Sequence, residues 1–292
     1  MADPYTRISV ETEEQVATIE LSPHSRDREG LEEEYSDPEH NSHWELANAF
    51  DDLRADNDVR VVVVTGGGET FKHPPAELYR TETGKENRND PRRIWCTFVG
   101  HLRAHQTIAE MEKVVVAKVN GDAIGFGQSL ALACDLVVSV EDARFIDHHL
   151  AMGEVEDVGP EYGVVTGDGG SSLVPLYMSP PKAKEYLMLG KPYTGRDLAE
   201  MDLINYAVPP EELDETVDEL VSALLDRSAY ALAWTKRTAN RLVVDHLSRT
   251  LDASAAYEMV NFLQAEWLGW RDPRSFTWAD EADGLEEIPF DY

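Results

Sequence analysis

The chain has 292 residues, two cysteines and a formal charge of −30, from 56 acidic and 26 basic side chains. So acidic a surface repels nucleic acid and anionic membrane. Two cysteines exclude a disulfide framework or a cysteine metal cluster, and no apolar run approaches the roughly 18–20 residues of a membrane span.

The N-terminal MADPYTRISVETEEQ is polar and acidic, unlike a signal peptide, and predicts a protein of the reducing cytoplasm. RISVETEEQVATIELS alternates as a strand pair, and residues 24–40 read as a charged loop. SHWELANAFDDLRAD (42–56) predicts a helix with Ser42 and Glu45 at capping-box spacing and a stripe of Leu46, Ala49, Phe50 and Leu53. VRVVVVTG (59–66) and VVVAKVNG (114–121) are continuous apolar runs ending in glycine, which suits buried parallel strands. Between them lies a helix over 92–112. FGQSLALACD (126–135) predicts a short helix, LVVSV (136–140) a strand, and SPPKAKEYLMLG (179–190) a helix with proline in its first turn. From Pro209 onward the pattern is mostly helical. Strands alternating with helices argue for an α/β fold.

The basic residues favour arginine, with eight lysines in all. That composition resembles a halophilic surface, where high salt screens the self-repulsion of the acids. GVVTGDGGSS (163–172) lacks both the G-x-x-x-x-G-K-[ST] phosphate loop and a G-x-G-x-x-G turn after a first strand. Asp168 therefore reads as either a turn former or a functional acid. His43, in the first turn of its helix, is disfavoured as imidazolium by the helix dipole and could accept a proton. No third ligand stands at metal-site spacing from His148 and His149, so no metal ligand is assigned.

VAKVNGDAIGFGQSLALACDLVVSVEDARF (116–145) resembles the central signature of the crotonase (enoyl-CoA hydratase/isomerase) superfamily. VRVVVVTGGGETFKHPPAELYR (59–80) resembles its strand and oxyanion loop, and the likeness runs over roughly residues 5–265. It implies a crotonase-like ββα spiral core over 1–208 and a helical oligomerisation region over 209–265; beyond its reach lies an acidic, Trp-rich tail over 266–292, whose Trp267, Trp270 and Trp278 suit a subunit interface or, less well, a cover over the site. It also implies a homotrimer or dimer of trimers, and two backbone N–H groups that stabilise an enolate. One donor falls at Phe126. The other falls at Ala76, since Pro74 and Pro75 have no N–H to give.

A hydratase has a catalytic glutamate where this chain has Ser129; its second glutamate matches Glu161. The resemblance is closer to oxocamphor hydrolase and related β-diketone hydrolases. HWELANAFDDLRADNDVRVVVVTG (43–66) places His43 on a catalytic histidine of that branch, and the GDG loop places Asp168 on a catalytic aspartate. FIDHH places His149, or else His148, on a second histidine, and Tyr257-Glu258 carries over a glutamate at Glu258. A further histidine of the branch falls on Phe126.

The expected activity is hydrolysis of a carbon–carbon bond in a small β-dicarbonyl, with neither metal nor redox cofactor. Water would be activated by His43 or by a His149–Asp168 dyad. The alternative is a hydratase- or isomerase-like lyase acting on a coenzyme A thioester through Glu161 or Asp168, with Arg80, Lys85 and Lys113 near the phosphates. A non-catalytic relative that binds RNA is a third reading, which the charge opposes.

Overall fold

The computed structural model describes residues 5–21, 41–72, 90–151 and 163–267, with side chains through Gln264. Strands β1 (Ile8–Glu13) and β2 (Val16–Leu21) form an antiparallel hairpin closed by two residues, with Glu14 at a φ of 52°. A positive φ is what a two-residue hairpin turn demands. β3 (Val61–Gly66), β4 (Val114–Val119), β6 (Leu136–Val140) and β9 (Tyr206–Val208) continue the sheet in parallel, in the order β1-β2-β3-β4-β6-β9. The four valines of β3 are all buried, as parallel strands covered on both faces require. β5 (Ala123–Ile124), β7 (Arg144–Ile146) and β8 (Tyr193–Thr194) make a second, three-stranded sheet.

Helix α1 (Ser42–Ala55) lays Leu46, Ala49, Phe50 and Leu53 into the core, the stripe that the spacing predicts. Its cap differs from the expectation. Asn41, not Ser42, is the N-cap, accepting the His43 and Trp44 N–H groups. Glu45 is absent from the cap because its carboxylate is committed to the segment leading into β1, accepting from Thr6 N, Thr6 Oγ1 and Arg7 N. Helix α2 (Pro91–Glu110) packs along α1. A Cβ on Gly100 would come within 2.6 Å of the backbone at His43 and Trp44, so glycine permits this close approach.

Helix α3 (Phe126–Ala133) is wholly buried and leads through Cys134 and Asp135 into β6. Asp135 accepts from Val115 N at 2.8 Å and pairs with Lys236 at 2.6 Å, which ties the sheet to the C-terminal helices. The chain then forms α4 (Gly170–Tyr177), α5 (Pro180–Leu189), α6 (Gly195–Glu200), α7 (Leu213–Leu225), α8 (Ala229–Ala239) and α9 (Arg241–Trp267). α9 packs on α2 and α4 and so returns to the middle of the molecule. Among the described residues, no helix is long and apolar enough to cross a membrane.

Candidate functional site

The turns after β3 and β4 are locked together by one side chain. Asn120 accepts from Gly66 N at 3.0 Å and donates to the carbonyls of Gly66 and Gly68. From there β5 runs through Gly125 into α3, whose first residue is Phe126. The Phe126 N–H lies in the first turn, where no intrahelical acceptor exists and the dipole favours a negative partner. Lys72, the last described residue before the expected oxyanion loop, pairs with β5 through Lys72 N–Asp122 O and Ile124 N–Lys72 O bonds. Ala76, the second expected donor, lies outside the described residues, as does Glu161.

Behind β7 the chain places a histidine among three carboxylates. His149 Nδ1 is 2.8 Å from Asp147 Oδ1, while its Nε2 lies 3.5 Å from Asp168 Oδ2 and 3.6 Å from Glu258 Oε1. All four side chains are buried. Asp147 stands at the end of β7, Asp168 in the turn before α4, and Glu258 on α9. Burial alone would strip the proton from His149, but Asp168, Asp147 and Glu258 outweigh it and raise the imidazole to about 10. Burial pushes both Asp168 and Glu258 up, against the opposing pull of His149. Such a group favours His149 as an imidazolium.

A second set of rings surrounds Phe126. The His43 ring packs edge-on to Phe126 with centroids 4.3 Å apart, and His105 and His101 follow at 5.4 and 6.3 Å. Asn41 Oδ1, which accepts two backbone N–H groups, lies 3.3 Å from His43 Nδ1. An oxygen can only accept, so Nδ1 carries the ring hydrogen and Nε2 is the nitrogen able to take a proton. His105 is ordered in the same way. Its Nδ1 lies 2.7 Å from the His101 carbonyl, which makes Nδ1 the donor. Burial lowers His105 to about 4 and holds His101 well below its usual range, so both rings are neutral at pH 7.

Ser129 joins the two sets. Its buried hydroxyl lies 3.1 Å from Phe126 O and 2.8 Å from Asp168 O, spanning the helix start and the aspartate turn. Gly169 adds a second link. It has a φ of 111°, and a Cβ there would come within 2.7 Å of His105 Nε2. Only glycine suits a position that needs both the left-handed backbone and the space.

The structure thus brings His149, Asp168 and Glu258 into one cluster and sets His43 against Phe126. The ring of His148 lies against Gly125, with its centroid 4.5 Å from that of His149. Glu258 is no solvated acid: it is buried while its neighbour Tyr257 is exposed. Lys113 is corrected as a phosphate contact, because its amine donates to the carbonyls of Leu53 and Asp56 at the end of α1. Asp147, His101 and His105 were not singled out in the sequence. The D-x-H spacing of Asp147 to His149 and the i, i+4 spacing of HLRAH were the available signals. Among the described residues, Asp147, His149 and Asp168 are the one set whose donor atoms lie close enough for a metal ion, within 4.8 Å of one another.

Relatives with this architecture are numerous. The family profile described as enoyl-CoA hydratase/isomerase matches residues 39–266. A carnitinyl-CoA dehydratase of Salmonella typhi is 30% identical over 191 residues, covering 65% of this chain and 67% of the relative. The crystal structure of an enoyl-CoA hydratase/isomerase from Mycobacterium paratuberculosis superposes with a TM-score of 0.73 at 23% identity, over 98% of this chain and 100% of that one. A beta-diketone hydrolase from the cyanobacterium Anabaena sp. PCC 7120, bound to (S)-3-oxocyclohexyl acetic acid, superposes at 0.71 and 20% identity, over 88% and 94%. At these identities the two structures speak for the fold, which is the crotonase fold that the NG–GFG signature implies. With the profile spanning the core and the C-terminal helices alike, the chain belongs to the enoyl-CoA hydratase/isomerase family and is an enzyme of the crotonase superfamily.

Proposed function

We propose that this enzyme hydrolyses a carbon–carbon bond of a small β-dicarbonyl by a retro-Claisen step. The observation that carries the reading is the buried His149–Asp147–Asp168–Glu258 cluster, tied through Ser129 to the helix start that presents the Phe126 N–H. His43 Nε2 takes a proton from water, and the hydroxide oxygen bonds to one carbonyl carbon. The bond from that carbon to the central carbon then breaks, and its electron pair becomes an enolate whose oxygen is held by the N–H groups of Phe126 and Ala76. The His149 imidazolium gives its Nε2 proton to the enolate carbon. His43 returns its proton to His149 through the released acid, so one water is consumed and one keto acid is formed. The His149 imidazolium supplies the acid, and His43, whose Nδ1 is turned to Asn41 Oδ1, supplies the base that this sequence needs. Ser129 supports the reading from the other side: it stands at the position of a hydratase glutamate, and among the described residues its hydroxyl is directed to the carbonyls of Phe126 and Asp168.

The test is turnover of 2-methylcyclohexane-1,3-dione in molar salt, followed by loss of the enol absorbance. We expect Asp168→Asn and His43→Ala each to lower kcat by about 10²–10⁴-fold, the usual contribution of a proton-transfer group. Unchanged activity in both variants removes them from the mechanism.

A second reading, hydration or isomerisation of a coenzyme A thioester, is favoured by the 30% identity to a protein named as a carnitinyl-CoA dehydratase. Glu161 or Asp168 would act as the acid–base group. Calorimetry with crotonyl-CoA separates the two: absence of binding at millimolar ligand ends the thioester reading.

A further inference from the structure

The two histidines of α2 have no part in the scheme above, yet each buries a ring nitrogen without a partner. His101 Nε2 and His105 Nε2 make no hydrogen bond among the described residues, and the two side chains are 1% and 0% exposed. Buried polar atoms are normally paired, so an orphan of this kind calls for a cause. His105 has a local one: its ring fills the space over Gly169 and is fixed by the bond to the His101 carbonyl. His101 has none of that kind. Its ring centroid lies 5.5 Å from Phe98, 6.2 Å from His43, 6.3 Å from Phe126 and 6.4 Å from His105, and the charge of His149 acts on it as well. It therefore lies beside the proposed base and the ring of the residue whose N–H is the proposed oxyanion donor.

From this geometry we infer that His101 is a further substrate-contacting residue, whose neutral ring donates a hydrogen bond from Nε2 to the carbonyl under attack. The inference rests on the carbonyl-substrate reading given above. A retro-Claisen reaction develops negative charge on two oxygens in turn, first on the attacked carbonyl and then on the departing enolate. The backbone N–H groups of Phe126 and Ala76 serve the enolate. The attacked oxygen needs its own donor, and a neutral imidazole supplies one without the reorganisation that a charged group would require. His101 is kept neutral by burial, and then by its neighbours His43, His105 and His149.

The decisive variants are His101→Phe and His101→Asn, assayed on 2-methylcyclohexane-1,3-dione and crotonyl-CoA, with thermal melts of each. Phenylalanine fills the ring's space and removes the orphan nitrogen, so the inference expects an equal or higher Tm together with a kcat lowered by about 10²–10³-fold, the usual effect of losing one oxyanion donor. Asparagine restores a donor, and we expect it to recover roughly ten-fold of that loss, with the larger change in kcat rather than KM. If His101→Phe keeps kcat within two-fold of wild type, or loses activity only in step with a falling Tm, the inference is overturned and the carbonyl reading stands. If wild type neither binds nor turns over either compound, the carbonyl reading fails and this inference falls with it. Activity on the thioester alone, lost in His101→Phe without loss of Tm, keeps His101 as a carbonyl donor and replaces the dicarbonyl as its substrate.

Discussion

His149 and the pair His101–His105 are all buried, yet only His149 carries a charge. His149 sits among Asp147, Asp168 and Glu258 and is raised to about 10, whereas His105, whose neighbours are aromatic rings and a carbonyl, is lowered to about 4. Burial acts in the same direction on both, against the imidazolium. The difference is set by carboxylates within 4 Å on one side and by their absence among the close partners of His105 on the other. The fold thus sets the charge of one residue type by choosing its neighbours.

The largest expected effect is on the pH dependence of stability, where each proton of difference between folded and unfolded states changes stability by about 1.4 kcal/mol per pH unit. His149 is raised, so the stability it contributes is complete below its ordinary value of 6.5 and is lost as pH climbs toward about 10. His105 is lowered, so its contribution is complete above 6.5 and is lost as pH falls toward about 4. Asp147→Asn removes one of the charges that raise His149 and is expected to narrow the alkaline loss in melts across pH 6 to 10. His105→Asn is expected to shrink the acid loss instead. If the two variants change the same limb, the contrast between the clusters is wrong.

A smaller effect tests how the clusters touch. Gly169→Ala introduces a Cβ at a left-handed position and against His105 Nε2, and is expected to cost about 1–3 kcal/mol in urea unfolding. Part of that cost should disappear when His105→Ala is added, because the steric share belongs to the pair. Full additivity would mean that the ring and the turn are not in contact. The smallest effect is that of Ser129→Ala, which removes one hydroxyl bridge worth about 1 kcal/mol. It is expected to lower kcat by more than that stability change accounts for, since Asp168 loses its tie to α3. Equal kcat in the variant would mean that Asp168 holds its place without the bridge.

Much of the architecture was legible before the structure. The valine run of β3, the apolar run of β4 and LVVSV of β6 are continuous because parallel strands are covered on both faces. The stripe of α1 was equally plain, but its cap was not. Asn41 and Ser42 are both good N-cap residues, and the choice depended on Glu45, whose carboxylate the residues before β1 had claimed. His149, Asp168 and Glu258 were reached through resemblance to a hydrolase branch rather than through any local pattern. Nothing local joins FIDHH, GDG and Tyr257-Glu258, which meet only when α9 folds back onto α4. His101 and His105 passed unnoticed because HLRAH at helical spacing reads as an amphipathic turn, and periodicity does not say whether a histidine is buried with a partner.

The sequence by itself determined the longer elements and their order, since apolar runs, spacings and turn residues act over a few positions. Only the tertiary structure decided which histidine is charged. Protonation depends on groups within a few ångströms, and around His149 those come from β7, the turn before α4 and a helix some hundred residues further along.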